Sequence, residues 1–82
     1  MIDALVSKGQ LLEESGYRYN FERMVYFNRK TKKAFSVEFV DDNSRDDLQR
    51  CITEETNGEG WRFYFNTPPA ESVKRQLEND LA

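Results

Sequence analysis

The chain has 82 residues, enough for one small domain, and its contents of 38% hydrophobic and 33% charged residues are typical of a folded globular protein. Its net charge of −3 argues against a duplex-binding domain, which usually carries an excess of Lys and Arg. No apolar run is long enough to span a bilayer, the N-terminus lacks the features of a signal peptide, and the single cysteine cannot form an internal disulfide. These features predict a cytoplasmic protein.

The N-terminal segment is predicted to be an amphipathic helix over residues 2–15, because apolar residues recur there at helical spacing. Gly16 follows at the position where a left-handed residue commonly ends a helix.

Three strands are predicted next, over residues 17–20, 24–28 and 34–40, and the polar segment 29–33 joins the last two as a hairpin. Alternation counted along the chain predicts one strongly apolar face and one mixed face. The apolar face would carry Val25, Phe27, Phe35, Val37 and Phe39.

The second half of the chain is predicted to add a helix, a strand and a closing helix. Ser44 begins a capping pattern, and the segment Asn57-Gly58-Glu59-Gly60 is predicted to end the helix that follows; its Asn-Gly pair would also suit a hairpin turn, but a C-cap is favoured. Aromatic and polar residues alternate over 61–66, which indicates a strand. Thr67 and Pro68 are predicted to start the closing helix, as its N-cap and first helical residue.

These elements predict an α+β fold: a small mixed or antiparallel sheet of three to four strands, with helices packed mainly on one face. The predicted order is α-β-β-β-α-β-α within a single domain covering residues 1–82. The expected core consists of Phe27, Phe35, Val37, Phe39, Phe63 and Phe65 beneath Leu5, Leu12, Leu48, Ile52, Val73 and Leu77.

Several kinds of catalytic and metal site lack their residues. There is no histidine, which excludes Ser-His-Asp and Cys-His nucleophile systems, and one cysteine cannot supply a structural zinc site. The glycines match no phosphate-binding loop, and the acidic residues of 41–47 do not have calcium-loop spacing. Cys51 is expected to pack with Leu48 and Ile52 rather than react. No catalytic residue, metal or cofactor is therefore predicted.

Two surfaces are candidates for binding. Arg29, Lys30, Lys32 and Lys33 concentrate positive charge on the predicted hairpin tip, which would either contact phosphates or serve as a solvated loop; the solvated loop is favoured. The mixed sheet face carries Met24, Tyr26, Glu38, Arg62 and Tyr64. This face is either an exposed aromatic patch suited to protein binding or ordinary core beneath a helix, and periodicity does not decide between them.

The leading functional hypothesis is a non-catalytic protein-interaction or regulatory module that binds another protein or a second copy of itself through Tyr26, Tyr64 and their neighbours. The alternative is a nucleic-acid-binding domain that uses the basic tip 29–33 and the aromatic strands. Steep salt dependence would distinguish the second from the first. Neither hypothesis involves a membrane.

Overall fold

The computed structural model describes residues 7–56 and 60–82, which form a four-stranded mixed sheet with helices on both faces. The elements are α1 (Lys8–Glu14), β1 (Arg18–Asn20), β2 (Val25–Asn28), β3 (Lys33–Ser36), α2 (Val37–Asp42), α3 (Arg45–Thr53), β4 (Arg62–Tyr64) and α4 (Glu71–Leu81). The strand order is β1-β2-β3-β4. β1 pairs with β2, and β2 with β3, in antiparallel fashion, whereas β4 runs parallel to β3. The predicted α+β class and succession of elements are confirmed, with α2 as an additional short helix. Within the described part of the chain, no helix has the length and apolar character needed to cross a membrane.

Three helices begin after a serine whose hydroxyl oxygen accepts a hydrogen bond from the backbone N–H three residues later. These serines are Ser7, Ser36 and Ser44. The cap at Ser44 was expected, whereas the predicted strand 34–40 is wrong beyond Ser36. The hydroxyl of Ser36 satisfies one of the free N–H groups of α2, and Glu38 in its first turn suits the helix dipole.

Two predicted helix ends are also corrected. The closing helix α4 begins at Glu71 rather than at Pro68. Pro69 keeps Pro68 out of the helix, because a residue that precedes a proline is disfavoured in the helical conformation, and Ala70, with an extended backbone, is the N-cap. α3 ends at Thr53, and the predicted terminator Asn57-Gly58 lies outside the described residues.

The hairpin register separates two phenylalanines that were predicted to share a face. Tyr26 lies opposite Phe35, and Phe27 lies opposite Ala34. Directly opposed residues of neighbouring strands point to the same face, so Phe27 and Phe35 point to opposite faces. The prediction failed because the length of the connecting loop decides whether odd residues pair with odd or with even ones.

Each face of the sheet has its own buried cluster. Between the sheet and α1, α2 and α3, one cluster consists of Leu11, Leu12, Tyr17, Phe35, Val40, Leu48 and Tyr64. Beneath α4 lie Val25, Phe27, Ala34 and Leu81, with the rings of Trp61, Phe63 and Phe65 packed at their margin. The predicted contact of Phe35 with Leu12 and Leu48 is confirmed, whereas Val73 is exposed and Phe27 belongs to the other cluster. Leu5 lies outside the described residues.

Candidate functional site

Lys33 was predicted to lie at the basic hairpin tip, and the structure places it inside the protein. It belongs to β3 and is only 2% exposed. Its Nζ donates hydrogen bonds to the carbonyl oxygens of Cys51 (2.7 Å), Ile52 (2.8 Å) and Glu54. The last carbonyls of a helix have no partner within the helix, and a cation is favoured beside them. Lys33 therefore closes the C-terminal end of α3.

Arg29 makes a similar contact with the C-terminal end of α4. Its Nε donates to the carbonyl oxygen of Leu81 at 2.8 Å, and its guanidinium lies 5.3 Å from the centre of the Phe27 ring. Of the four predicted tip cations, Lys30 and Lys32 are thus exposed without such a contact to the described chain. The phosphate-binding role of the four residues stays a prediction, but two of them hold helices.

The residues around Lys33 form a hydrogen-bonded cluster. The Tyr64 hydroxyl donates to Glu54 Oε1 at 2.8 Å, and an Arg62 guanidinium nitrogen lies 3.9 Å from Glu54 Oε2. Burial lowers the pKa of Lys33, and burial followed by the bond to Glu54 raises the pKa of Tyr64. Because the Lys33 ammonium donates to three carbonyls, using it as a base would first break the cap on α3. The cluster is built to hold α3 against the sheet.

Two other titratable side chains, half-buried Cys51 and buried Tyr17, belong to the core on this face of the sheet. Cys51 is half-buried against the same core as Ile52, as expected, and burial raises the pKa of its thiol. The hydroxyl of buried Tyr17 forms no hydrogen bond of ordinary geometry among the described residues, although an interaction with the Thr31 side chain lowers its pKa against the larger effect of burial. Over residues 7–56 and 60–82, acidic and cysteine side chains do not gather in any set that could hold a metal ion.

The two aromatic residues of the predicted patch are largely covered, which favours core packing for them over an exposed aromatic surface. Tyr64 is 8% exposed and stacks on Phe35 at 4.5 Å, and Tyr26 is half-buried against the core beneath the helices. Met24, Glu38 and Arg62 are exposed. Arg62 pairs with Lys33 near the hairpin tip, at the far end of the sheet from the other two.

Met24 and Glu38 are brought together at a cleft of about 240 Å³, lined also by Arg23, Ser36 and Val37. The same turn carries, three residues before Met24, the most exposed large apolar residue of the described chain, Phe21, at 84%, while Met24 is 56% exposed. We call Phe21, Glu22, Arg23, Met24 and Glu38 the turn surface. Phe21 was missed because periodicity identifies residues within strands and helices. The one sequence signal was an aromatic residue within a polar turn.

The turn that carries these residues is held by several hydrogen bonds. The Asn20 carbonyl accepts from Met24 N–H, and the Asn20 side-chain oxygen accepts from Arg23 N–H, both at 2.8 Å. Met24 has a φ of 57°, an unusual value for a residue with a side chain, and its carbonyl accepts from Val37 N–H at 3.1 Å. The Tyr19 ring packs edge-on against Phe21 at 4.9 Å. Phe21 and Met24 are thus exposed from a defined backbone.

The turn surface carries unbalanced negative charge. Arg23 Nε donates to Asp80 at 2.7 Å, so its charge is matched within the chain. Glu22 and Glu38 are exposed and form no ion pair with the described residues. The surface therefore combines two apolar side chains with two free carboxylates.

Comparison with protein-family models, with curated proteins and with solved structures found no match to this chain, so the assignment of function depends on the geometry of the turn surface.

Proposed function

We propose that the chain is a non-catalytic protein-interaction module that binds its partner through the turn surface. The observation that carries the proposal is the exposure of Phe21 and Met24 on a turn fixed by hydrogen bonds. Exposed apolar side chains lose water on binding, and Phe and Met are enriched at protein interfaces. A turn that is ordered before binding also avoids part of the entropic cost of association.

The charges of the turn surface indicate the chemistry of the partner. Glu22 and Glu38 flank the apolar residues, so the complementary surface presents an apolar anchor with Lys or Arg beside it. A second copy that docked through the same surface would bring two more carboxylates into the contact without a free cation to match them, because a two-fold contact is made by identical patches and Arg23 is already paired with Asp80. We therefore favour a different, positively charged protein over self-association at this surface.

The proposal omits catalysis and nucleic-acid binding for reasons given by specific residues. The chain has no histidine, and its buried lysine, Lys33, is engaged with three carbonyl oxygens. The nucleic-acid alternative draws less support because Lys33, one of the four predicted tip cations, is buried against α3. A cytoplasmic location, predicted from the single cysteine and the N-terminal sequence, belongs to the same proposal.

Selection from a displayed library of random linear peptides tests the proposal with the intact chain. Peptides that carry an apolar residue flanked by Lys or Arg should be enriched. Binding of a selected peptide to Phe21→Ser should be at least about tenfold weaker, since burial of one large apolar side chain contributes about 1.5–3 kcal/mol.

The matched control is Val73→Ser, which removes another exposed apolar side chain, on α4, and should leave the affinity unchanged. Selected peptides that bind Phe21→Ser and the unmodified chain equally would overturn the turn surface as the site. Dimerisation that is lost in Phe21→Ser, measured by analytical ultracentrifugation, would overturn the basic partner in favour of a second copy.

A further inference from the structure

A second cleft lies at the opposite end of the sheet, and its polar lining residues are cations and an asparagine. It has a volume of about 290 Å³ and is lined by Gly16, Arg18, Phe27, Asn28, Arg29 and Lys30. No carboxylate lines it, although the whole chain has more acidic than basic residues. We call it the basic cleft.

Arg18 and Arg29 lie on the same side of the sheet as the Phe27 ring. Arg18 is directly opposite Phe27 in the pairing of β1 with β2, so both side chains leave the same face of the sheet. The Arg29 guanidinium lies 5.3 Å from the centre of the Phe27 ring. Arg18, Arg29 and Lys30 form no ion pair within the described chain, so their charges are not neutralised there.

Asn28 adds a donor with a fixed orientation. Its Oδ1 accepts hydrogen bonds from the backbone N–H groups of Lys30 (2.8 Å) and Thr31 (3.2 Å). This arrangement directs the Nδ2 group towards Gly16, where a Cβ atom would lie only 3.2 Å from it. Gly16, at a φ of 97°, thus leaves space beside an amide group that has hydrogens to donate. Asn28 alternates with Phe27 along β2, so its side chain leaves the other face of the sheet and lines the cleft at the end of the strand, where it also shapes the loop.

We propose that the basic cleft binds a phosphate monoester dianion, either free or attached to a phosphorylated side chain. Guanidinium groups and an amide N–H₂ group match the acceptor oxygens of a phosphate, and a dianion is drawn to several cations lacking anionic neighbours. A single-stranded nucleic acid fits less well. Such strands are bound largely by stacking of bases on exposed aromatic rings, and Phe27 is buried with Arg29 over its ring.

Titration of the intact chain with inorganic phosphate at low ionic strength, followed by the amide NMR signals of residues 16–18 and 28–30, tests this inference. We expect saturable shifts confined to these residues. Asn28→Asp keeps an oxygen for the Lys30 and Thr31 N–H groups but replaces the Nδ2 donor by a carboxylate oxygen, so phosphate affinity should fall by about tenfold or more. Gln49→Glu, an equal change of charge at an exposed site on α3, should have little effect.

Two further ligands identify the source of the phosphate. Tighter binding of a phosphoserine peptide than of inorganic phosphate would support a phosphorylated protein, and the reverse would support a small molecule. Shifts that do not saturate, or that are equal in Asn28→Asp and the unmodified chain, would overturn the site. Tighter binding of a single-stranded oligonucleotide, with a steep salt dependence, would overturn the choice of a monoester. Phe21→Ser should bind phosphate normally, so this test is independent of the turn surface.

Discussion

The two ends of the sheet bury and expose the opposite residue types from those expected. At the hairpin end, the charged side chain of Lys33 is buried. At the other end, Phe21 and Met24 are exposed to solvent. Both arrangements depend on backbone groups: the free carbonyls of α3 hold Lys33 inside, and the hydrogen bonds of the β1–β2 turn hold Phe21 outside.

The two ends differ in what the unusual residue contributes to the stability of the fold. Burying a cation is costly unless its hydrogens find acceptors, and at the hairpin end they do. Exposing two apolar residues brings no comparable gain to the isolated chain. Hydrogen bonding within the fold accounts for the buried Lys33 but not for the exposure of Phe21 and Met24, and this contrast supports the proposed role of the turn surface.

Replacing Lys33 should have the largest effect on stability. Lys33→Met keeps most of the side-chain volume but leaves three carbonyl oxygens without their donor, so we expect the free energy of unfolding to fall by about 3 kcal/mol or more. Urea titration measures it. Lys32→Met, the same change at the exposed neighbour, should cost no more than about 0.5 kcal/mol. Equal losses in the two variants would show that Lys33 does not close α3.

Removing the Tyr64 hydroxyl should cost less. Tyr64→Phe keeps the stack on Phe35 and deletes only the hydrogen bond to Glu54, whose carboxylate is partly exposed and can be hydrated instead. We expect a loss of about 1 kcal/mol in urea titration. A loss as large as that of Lys33→Met would mean that Tyr64, rather than Lys33, organises the cluster.

Alkaline pH should weaken the hairpin end through the same hydroxyl. The pKa of Tyr64 is raised above its ordinary value of 10.0, so the folded protein holds this proton where the unfolded chain releases it. The resulting stabilisation is complete below pH 10 and is lost as the pH rises above 10 towards the folded pKa. The unfolding free energy of Tyr64→Phe should therefore fall less steeply above pH 10 than that of the unmodified chain. Parallel pH profiles would exclude Tyr64 as the cause.

Removing the Tyr17 hydroxyl should have the opposite sign. This oxygen is buried without a hydrogen bond of ordinary geometry among the described residues, and burial raises the pKa of the group more than the Thr31 side chain lowers it. Tyr17→Phe removes an unsatisfied polar atom while keeping the edge-on contact with Phe35, so we expect a gain of up to about 1 kcal/mol. A clear loss of stability in thermal or urea unfolding would show that the hydroxyl is satisfied in solution.

The turn surface should give the smallest change in stability. Phe21→Ser removes a ring that is mostly in water, so the unfolding free energy should change by no more than about 0.5 kcal/mol. Phe35→Ala, in the core, should cost about 3–5 kcal/mol and provides the contrast within the same residue type. Strong destabilisation by Phe21→Ser would show that Phe21 packs in solution and would remove the basis of the proposed interface.

Local sequence patterns predicted most of the fold. Periodicity and the Ser44 cap identified α3, and the polar segment 29–33 identified the hairpin, because these features depend on residues close together in the chain. The prediction that the strand continues beyond Ser36 was wrong because it, too, was made from neighbouring residues alone. Val37 and Phe39 alternate with polar residues as in a strand, yet the Ser36 hydroxyl and the first-turn acid stabilise a helix there. Two local signals conflicted, and tertiary contacts decided the outcome.

The candidate sites were less predictable because they depend on pairing across the sheet. The burial of Lys33 follows from the placement of the α3 C-terminal end over β3, which no spacing in the sequence encodes. Met24 and Glu38 were both named as binding residues, but for a shared strand face that does not exist. They meet because the turn after β1 and the start of α2 lie side by side, as the Met24–Val37 hydrogen bond shows.

The parallel pairing of β3 with β4 has a consequence for the order of folding. β1, β2 and β3 are joined by short turns and can pair from neighbouring segments of chain, whereas Lys33 meets Arg62 only after the chain has passed through α2 and α3. Closing so long a loop is entropically unfavourable until α3 is in place, and contacts between distant segments form slowly. Lys33 makes both contacts: its side chain binds the end of α3, and its backbone pairs with Arg62 of β4. The three-stranded meander would then form early, and attachment of β4 would be the kinetically limiting event.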